Sequence, residues 1–269
     1  MEFSDKQLER YARHIVLPEL GGKGQERLLR SSALVVGAGG LGSPLLLYLA
    51  AAGVGRIGIV DDDVVDLSNL QRQVIHATDR IGDPKVESAR SVLAGINPDV
   101  TVETHGVRLG PGNVMELIGR YDIVADGSDN FATRFLLNDA CYLKGVPLVS
   151  AALLRFEGQL ATFKAHAGNY PCYRCIFPEP PPEGLIPTCA EGGVLGAVAG
   201  VVGCLQATEV IKELAGIGDS LAGHLVIMDA LNATFRKIAV RPDPSCRLCG
   251  DQPTIIDLSI HGPGQDGDP

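Results

Sequence analysis

The sequence predicts an α/β protein built on a Rossmann-like, doubly wound and mainly parallel β-sheet. Short apolar runs alternate with helical segments through the first half of the chain, and a glycine motif joins the first such run to a helix. Alternation of this kind is typical of a parallel sheet covered by helices on both faces. After residue 151 the pattern changes, and we expect a continuation that contains antiparallel strands and a zinc knuckle of four cysteines.

The first helix is predicted from Ser4 and Gln7, which have the spacing of a capping box. The glycines of 21–24 are expected to break the chain before another helical turn at 25–30. The alternating elements then follow in order: strand 33–36, helix 43–52, strand 56–60, helix 85–96, strand 100–105, helix 114–120, strand 123–125, helix 131–144 and strand 147–150.

The second half is predicted to contain strands at 159–163 and 225–228, with a long helix over 194–214 between them. A proline cluster at 178–182 indicates an exposed, mobile crossing segment. The tail, residues 251–269, is rich in Gly, Asp and Pro and is expected to be flexible.

Composition excludes several classes of function. A net charge of −9 argues against general nucleic-acid binding, which needs a basic surface. The longest apolar stretch, 194–205, contains three glycines and falls short of the ~20 residues that span a bilayer. No secretion signal is visible, so we expect a cytoplasmic protein whose seven cysteines are reduced or bind metal.

A nucleotide site is predicted where Gly37-x-Gly39-x-x-Gly42 follows a strand and precedes a helix. Such glycines let backbone N–H groups approach a phosphate at the helix N-terminus. Asp61 ends the next strand, where an acidic residue usually binds ribose hydroxyls. This motif alone fits NAD as well as ATP.

Charged residues after the other strands favour ATP. Arg72 and Lys85 follow Asp61, and the segment 126–129 adds two carboxylates after a neighbouring strand. Each alone would be interpreted as a solvated surface charge. Together they suit attack on a phosphate, because the cations balance developing charge while a carboxylate holds Mg²⁺. Hydride transfer needs no such set.

Four motifs occur in one order, Gly37-Ala-Gly-Gly-Leu-Gly42, Asp61-Asp-Asp63, Leu67-Ser-Asn-Leu-Gln-Arg-Gln73 and Pro84-Lys85-Val-Glu87, followed by Asp129-Asn130 and paired cysteines. In these motifs the chain resembles the MoeB/ThiF/HesA family, the bacterial relatives of ubiquitin-activating enzymes. The resemblance covers roughly residues 8–250. It implies one domain over 1–269, with a nucleotide-binding half at about 1–150 and a carrier-binding and zinc half at about 151–250.

The resemblance also implies roles for individual residues. Gly40 would contact the phosphates, Asp61 the ribose, and Asp129 the magnesium. The triphosphate would lie on Asn69, Arg72 and Lys85, and Arg13 would reach the site from the other subunit of a homodimer. From the residues alone, Arg13 is an ordinary helix-surface charge. The same motifs place these further positions at the nucleotide: Gly37, Gly39, Gly42, Asp63, Ser68, Leu70, Gln71 and Asn130.

The implied activity is ATP-dependent adenylylation of the C-terminal Gly-Gly carboxylate of a small ubiquitin-like sulphur carrier of the MoaD/ThiS type. Pyrophosphate leaves, and the acyl-adenylate serves sulphur transfer in molybdopterin or thiamine biosynthesis; the sequence leaves cysteine biosynthesis and tRNA thiolation open. The chain ends shortly after Cys249, so we expect sulphur to come from a separate cysteine desulfurase or rhodanese.

Two Cys-x-x-Cys motifs, Cys172 to Cys175 and Cys246 to Cys249, suit a tetrahedral structural zinc site. Either pair alone could be a redox dithiol. Zinc at both pairs would clamp the crossing segment to the end of the chain, and the resembling family carries zinc at matching positions.

Cys189 lies just before the glycine-rich helix, whose N-terminus favours a thiolate. In some members of the resembling family this position forms a covalent bond with the carrier, whereas others need only the adenylate. A small packing residue is the alternative interpretation.

Two other functions remain open from the sequence. A nicotinamide-dependent oxidoreductase would share the glycine loop and Asp61, but it leaves Arg72, Lys85 and Asp129 without a role. A non-catalytic nucleotide-binding scaffold would not need the full set of phosphate-site residues.

Overall fold

The computed structural model describes residues 3–182, 184–185 and 189–262, with the backbone alone at positions 189 and 190. Its helices are α1 (Asp5–Ile15), α2 (Gly21–Arg30), α3 (Gly42–Ala52), α4 (Lys85–Ile96), α5 (Val114–Ile118), α6 (Phe131–Lys144), α7 (Tyr173–Ile176), α8 (Cys189–Gly192) and α9 (Gly196–Ala215). Its strands are β1 (Ser32–Val36), β2 (Arg56–Val60), β3 (Thr101–His105), β4 (Ile123–Asp126), β5 (Leu148–Leu154), β6 (Glu157–Phe163), β7 (His224–Asp229) and β8 (Thr234–Ala239).

The strands form one eight-stranded sheet in the order β3-β2-β1-β4-β5-β6-β7-β8. The five strands from β3 to β5 are parallel, and β6, β7 and β8 are added antiparallel. This confirms the predicted fold class. The chain winds outward from β1 in one direction and from β4 in the other, so the strand order reverses between them. Open α/β sheets bind ligands beyond the carboxyl ends of the strands at such a point.

Helices cover both faces of the sheet, because alternate residues of the buried strands point to opposite sides. On β1, Ala33 and Val35 pack into the larger core with α3 and α9, whereas Leu34 and Val36 pack into a second core with α5 and α6. Every residue of β1 is buried. The strand that carries the glycine loop is therefore fixed from both sides.

The N-terminal capping box is confirmed. The Ser4 Oγ accepts a hydrogen bond from the Gln7 backbone N–H at 3.2 Å, and the Gln7 Oε1 accepts one from the Ser4 N–H at 3.1 Å.

The described part of the chain contains no helix with the length and apolarity needed to cross a membrane.

The predicted break at 21–24 is wrong, since these residues form the first turn of α2. Gly24 is buried there, and a Cβ atom at this position would lie 2.6 Å from the Leu20 Cδ1. The glycine allows the Leu20 side chain, just before α2, to pack against the first turn of this helix, and it does not interrupt the helix. Strand β8 was not predicted, and its six residues are all exposed. An edge strand without a buried face has no hydrophobic alternation for a sequence pattern to show.

Candidate functional site

A cleft of about 340 Å³ lies at the reversal of the strand order. Its walls are the loop after β1, the acidic residues after β2 and the segment after β4, with Arg72 and Lys85 at one side. These segments are distant in sequence. The parallel strands bring them together because their carboxyl ends share one edge of the sheet.

The glycine loop has a conformation that side chains would prevent at two positions. Gly37 has a φ of +93°, in the region that favours glycine, and a Cβ there would lie 2.9 Å from the Gly127 carbonyl oxygen. A Cβ at Gly42 would lie 1.8 Å from the Gly37 carbonyl oxygen. The turn into α3 is therefore closed tightly, and the backbone of the loop faces the cleft.

Gly42→Ala is expected to destabilise the protein by about 1–3 kcal/mol and to weaken nucleotide binding, because the clash moves the loop backbone. Thermal unfolding and ATP titration measure the two effects. Gly95→Ala is the matched control: no atom lies within 4 Å of a Cβ at this position in α4, and alanine stabilises helices by about 0.5–1 kcal/mol relative to glycine. Equal nucleotide affinity in both variants would contradict the role of the loop.

Two side chains, the half-buried Asp61 and the buried His76, form hydrogen bonds to the loop. The Asp61 Oδ2 accepts a hydrogen bond from the Ala38 N–H at 2.8 Å. The His76 Nε2 lies 2.9 Å from the Ala38 carbonyl oxygen, and its Nδ1 lies 2.9 Å from the Ser88 Oγ. Since a carbonyl only accepts, Nε2 carries the proton. Burial lowers the pKa of His76 and so keeps the ring neutral.

Asp61 combines burial with a position at the cleft. Burial raises the pKa of its carboxyl group, and the Ala38 N–H and the nearby Lys85 oppose that rise. Its other oxygen, Oδ1, accepts a hydrogen bond from the Asp63 N–H at 3.0 Å. The carboxylate therefore fixes the glycine loop relative to β2 as well as facing the cleft.

The two cations predicted for the phosphates both line the cleft. The Lys85 Nζ donates to the Asp63 Oδ2 at 2.7 Å; the lysine side chain is 6% exposed, and that of Asp63 is 69% exposed. The Arg72 guanidinium donates to the Ser68 carbonyl oxygen at 3.2 Å. Because Asp63 is exposed, an anion entering the cleft can replace it as the partner of Lys85 at little cost.

The two carboxylates at the end of β4 and just after it, Asp126 and Asp129, have different environments. Asp126 is fully buried, and it accepts hydrogen bonds from the Ser128 Oγ at 2.6 Å and the Ser150 Oγ at 2.9 Å. Burial raises the pKa of Asp126. Asp129 is exposed and lines the cleft. Of the two, Asp129 is the group that can face a ligand or hold a cation.

The structure thus brings most of the sequence-predicted positions to one cleft: Gly37, Gly39, Gly40, Asp61, Asp63, Arg72, Lys85, Asp129 and Asn130. Others lie beside it. Gly42 lies behind the loop, and Ser68, Asn69, Leu70 and Gln71 form a turn that carries Arg72 but does not line the cleft.

Two predicted residues are not brought to the cleft by the described structure. Arg13 is exposed on α1, and α1 contributes no residue to the cleft wall. Cys189 begins α8, but its side chain lies outside the described residues. The proposed roles of both residues stay predictions.

Three polar residues of the cleft wall, Gln73, Arg108 and Arg134, were given no role from the sequence, although Gln73 ends the motif 67–73. Gln73 is 4% exposed, and its Oε1 has no hydrogen-bond partner among the residues the structure describes. Arg134 lies one helical turn after Asn130, which caps α6 by accepting a hydrogen bond from the Thr133 N–H at 2.8 Å. The spacing of Arg134 from Asn130 could have indicated from the sequence that Arg134 faces the cleft, because residues four apart share a helix face.

An apolar groove of about 430 Å³ continues from the cleft over β5 and β6. Its walls include Leu160, Phe163 and Phe177, and the proline-rich crossing segment contributes Pro181. The cleft and the groove adjoin, since residues at the start of α6 line both. An extended chain segment lying in the groove would end at the cleft.

The four cysteines of the two Cys-x-x-Cys motifs converge on one point. Their sulphur atoms all lie within 4.8 Å of one another, with Cys172 3.6 Å from Cys246 and Cys175 3.4 Å from Cys249. Zinc–sulphur bonds of about 2.3 Å in a tetrahedron place sulphur atoms about 3.8 Å apart. The cluster fits that donor set and is too open for disulfides.

The cysteine cluster is joined to α6. Arg174, between the first two cysteines, donates from Nε and from a terminal nitrogen to the two Asp139 oxygens, both at 2.7 Å. The two side chains are 4% and 0% exposed. His261 adds a hydrogen bond at 2.8 Å to Asp139, and the Tyr173 N–H donates to the Asn138 Oδ1 at 2.8 Å. The helix that borders the cleft is thus held at its middle by the cysteine segment.

Comparison with protein families gives one match over most of the chain. The model of the ThiF family matches residues 11–248. A sulfur carrier protein adenylyltransferase of Thermus thermophilus is 52% identical over 261 residues, which cover 96% of each chain. The SAMP-activating enzyme E1 of Haloferax volcanii is 52% identical over 245 residues, or 91% of this chain and 90% of that one.

The bovine adenylyltransferase and sulfurtransferase MOCS3 is 54% identical over 256 residues, and the match spans 95% of this chain but 56% of the bovine protein. Among solved structures, E. coli MccB with AMPCPP and MccA superposes with a TM-score of 0.79 at 20% identity, covering 93% of this chain and 76% of that one. PaaA gives a TM-score of 0.76 at 23% identity, with coverages of 89% and 75%. These likenesses show the fold.

Proposed function

We propose that this chain, which belongs to the ThiF family, is an adenylyltransferase that uses ATP to activate the C-terminal carboxylate of a small ubiquitin-like sulphur carrier. The observation that carries the proposal is the convergence of Arg72, Lys85 and Asp129 on the glycine-loop cleft, with an apolar groove leading into it. A relative that is 52% identical over 96% of this chain is named a sulfur carrier protein adenylyltransferase.

The reaction joins two anions, so its main requirement is charge balance. A carboxylate oxygen of the carrier bonds to the α-phosphorus of ATP, the bond from that phosphorus to the bridging oxygen breaks, and pyrophosphate leaves with the electron pair. The carboxylate is already ionised at neutral pH, so no general base is needed. Lys85 and Arg72 would balance charge on the phosphates, while Asp61 would bind the ribose.

Magnesium would be held by Asp129, whose exposed carboxylate offers the oxygen ligands that Mg²⁺ prefers. Such an ion neutralises phosphate charge. Zinc would be held by Cys172, Cys175, Cys246 and Cys249, and its function would be structural. This assignment rests on the sulphur separations within the cluster.

The carrier tail would lie in the apolar groove, which leads toward the cleft and can take an extended segment with small residues at its end. Arg13 would complete the site from the second subunit of a homodimer, because α1 lies away from the cleft of its own chain.

We further propose that residues 1–269 form one domain, that the protein is cytoplasmic and that a separate protein donates the sulphur. Cys189 would either bond covalently to the carrier or pack beside it, and molybdopterin and thiamine biosynthesis are the candidate pathways.

The activity is tested by ATP–pyrophosphate exchange in the presence of each small Gly-Gly carrier of the source organism. We expect exchange that depends on one of these carriers and on Mg²⁺. A carrier lacking its last two glycines is the matched control and should give none. Absence of exchange with every carrier would contradict the proposal, and binding of NADH without ATP would favour an oxidoreductase.

A further inference from the structure

Four residues line both the nucleotide cleft and the apolar groove: Asp129, Asn130, Leu153 and Arg134. They mark the junction where an acceptor chain lying in the groove would meet the nucleotide. One of the four is a cation. A carboxylate arriving there meets the negative charge of Asp129, so Arg134 is the group at the junction that can attract it.

Arg134 is 9% exposed and held in a fixed place. One terminal nitrogen donates to the Ser128 carbonyl oxygen at 3.0 Å, and the guanidinium lies over the Phe131 ring, 5.4 Å from its centroid. The Nε is buried and has no hydrogen-bond partner within the described chain. A buried guanidinium N–H without an acceptor is costly, so the arrangement calls for an anion.

Arg134 forms no ion pair with any carboxylate in the described part of the chain. The nearest buried acid, Asp126, uses its oxygens to accept hydrogen bonds from Ser128 and Ser150. Burial raises the pKa of Asp126 and the charge of Arg134 opposes that rise, so the two groups interact through space. The Arg134 guanidinium still has no direct carboxylate partner among the described residues, and its hydrogen bond goes to the Ser128 carbonyl oxygen. Arginine presents paired N–H donors that match the two oxygens of a carboxylate, and such pairs are among the stronger hydrogen bonds in proteins.

We propose that Arg134 binds the free terminal carboxylate of the acceptor chain at the junction and so selects a chain end over an internal or amidated segment. The inference rests on the proposed adenylyltransferase function and names a specificity residue for it. One carboxylate oxygen stays with the guanidinium while the other points into the cleft toward the α-phosphorus. The contact forms before the reaction, so its loss raises the KM for the acceptor more than it lowers kcat.

The test compares a short peptide ending in Gly-Gly-COOH with the same peptide ending in Gly-Gly-CONH₂, by calorimetry on the full chain. For the wild type we expect the carboxylate form to bind about tenfold to a hundredfold more tightly, as expected for a charge-assisted contact. Arg134→Gln should bind both forms equally, and Arg134→Lys should keep part of the preference.

Arg155→Gln is the control for charge, because Arg155 is exposed at the β5–β6 turn and lines neither cavity. It should keep the full preference for the carboxylate. Equal binding of the two peptides to the wild type, binding of neither, or a preference retained by Arg134→Gln would overturn the role of Arg134. ATP–pyrophosphate exchange by the wild type with a carrier is measured separately. Exchange without a carboxylate preference would leave the adenylyltransferase intact and reject this inference alone.

Discussion

Asp129→Asn is expected to lower the rate of ATP–pyrophosphate exchange by about a hundredfold or more while leaving the fold intact. The side chain is exposed in the cleft, and it is the group that we propose to hold the Mg²⁺ of the nucleotide. Losing one electrostatic contact to the transition state typically costs about 10²–10³ in rate. Asparagine keeps the shape of the side chain and removes its charge. The change in kcat for exchange, measured at saturating ATP and carrier, therefore reports the electrostatic contribution of Asp129 to the rate.

Asp79→Asn makes the same chemical change on the exposed surface away from the cleft and should leave exchange unaltered. Asp126→Asn is the contrasting variant, since Asp126 is buried and accepts hydrogen bonds from Ser128 and Ser150. It should lower the melting temperature, because asparagine offers fewer acceptors to those hydroxyls. An Asp129→Asn enzyme with wild-type exchange and wild-type magnesium dependence would reject the assigned role.

The fold was predictable from sequence because buried parallel strands leave a strong pattern. The run at 33–36 is apolar throughout, and the structure buries all of β1 between two cores. The exposed edge strand β8 leaves no such pattern. The glycines of α2 were misinterpreted for a related reason, since the same residue type breaks a chain or permits close packing, and only the neighbour, Leu20, decides.

The sequence predicted which chain segments form the cleft, but it did not predict the orientation of every side chain there. Residues after strand ends must meet at one edge of the sheet, so Asp61 and Lys85 were placed correctly at the cleft. Spacing alone did not distinguish Asp126 from Asp129, and the choice of Asp129 came from the family resemblance. The inward orientation of Asp126 depends on a hydrogen bond from Ser150 of the neighbouring strand. Arg134 was missed for a different reason: its partners Ser128 and Phe131 are close in sequence, but their spacing does not show that its side chain is buried at the cleft wall.

The link between the cysteine cluster and α6 was also absent from the sequence. Nothing in the Cys-x-x-Cys spacing shows that Arg174, inside the first motif, pairs with Asp139. The structure therefore changes the function expected of the zinc ion that we propose for this cluster. From the sequence, the metal was expected only to join two chain segments. In the structure the cysteine cluster also stabilises α6, the helix that places Asn130 and Arg134 at the cleft.

Removal of the metal is accordingly expected to destabilise the whole protein. In a Cys172→Ser/Cys246→Ser variant the segment 172–176 loses its anchor, and the buried Asp139 loses a partner whose side chain is 4% exposed. Asp139 then keeps the hydrogen bonds from Asn138 and His261, but breaking a buried ion pair costs about 3–5 kcal/mol. For a chain of this size that corresponds to a fall in melting temperature of about 6–20 °C, measurable by calorimetry alongside zinc content, for which we expect about one ion per wild-type chain.

Two controls separate the metal from the cysteines themselves. Cys204→Ser removes a partly buried thiol on α9 outside the cluster and should leave both zinc content and melting temperature close to wild type. Arg174→Met keeps all four cysteines but removes the ion pair, so it should retain zinc and still lose stability. If the double serine variant lost zinc without a fall in melting temperature, the cluster would not support α6. If Arg174→Met were as stable as wild type, the coupling would not pass through Asp139.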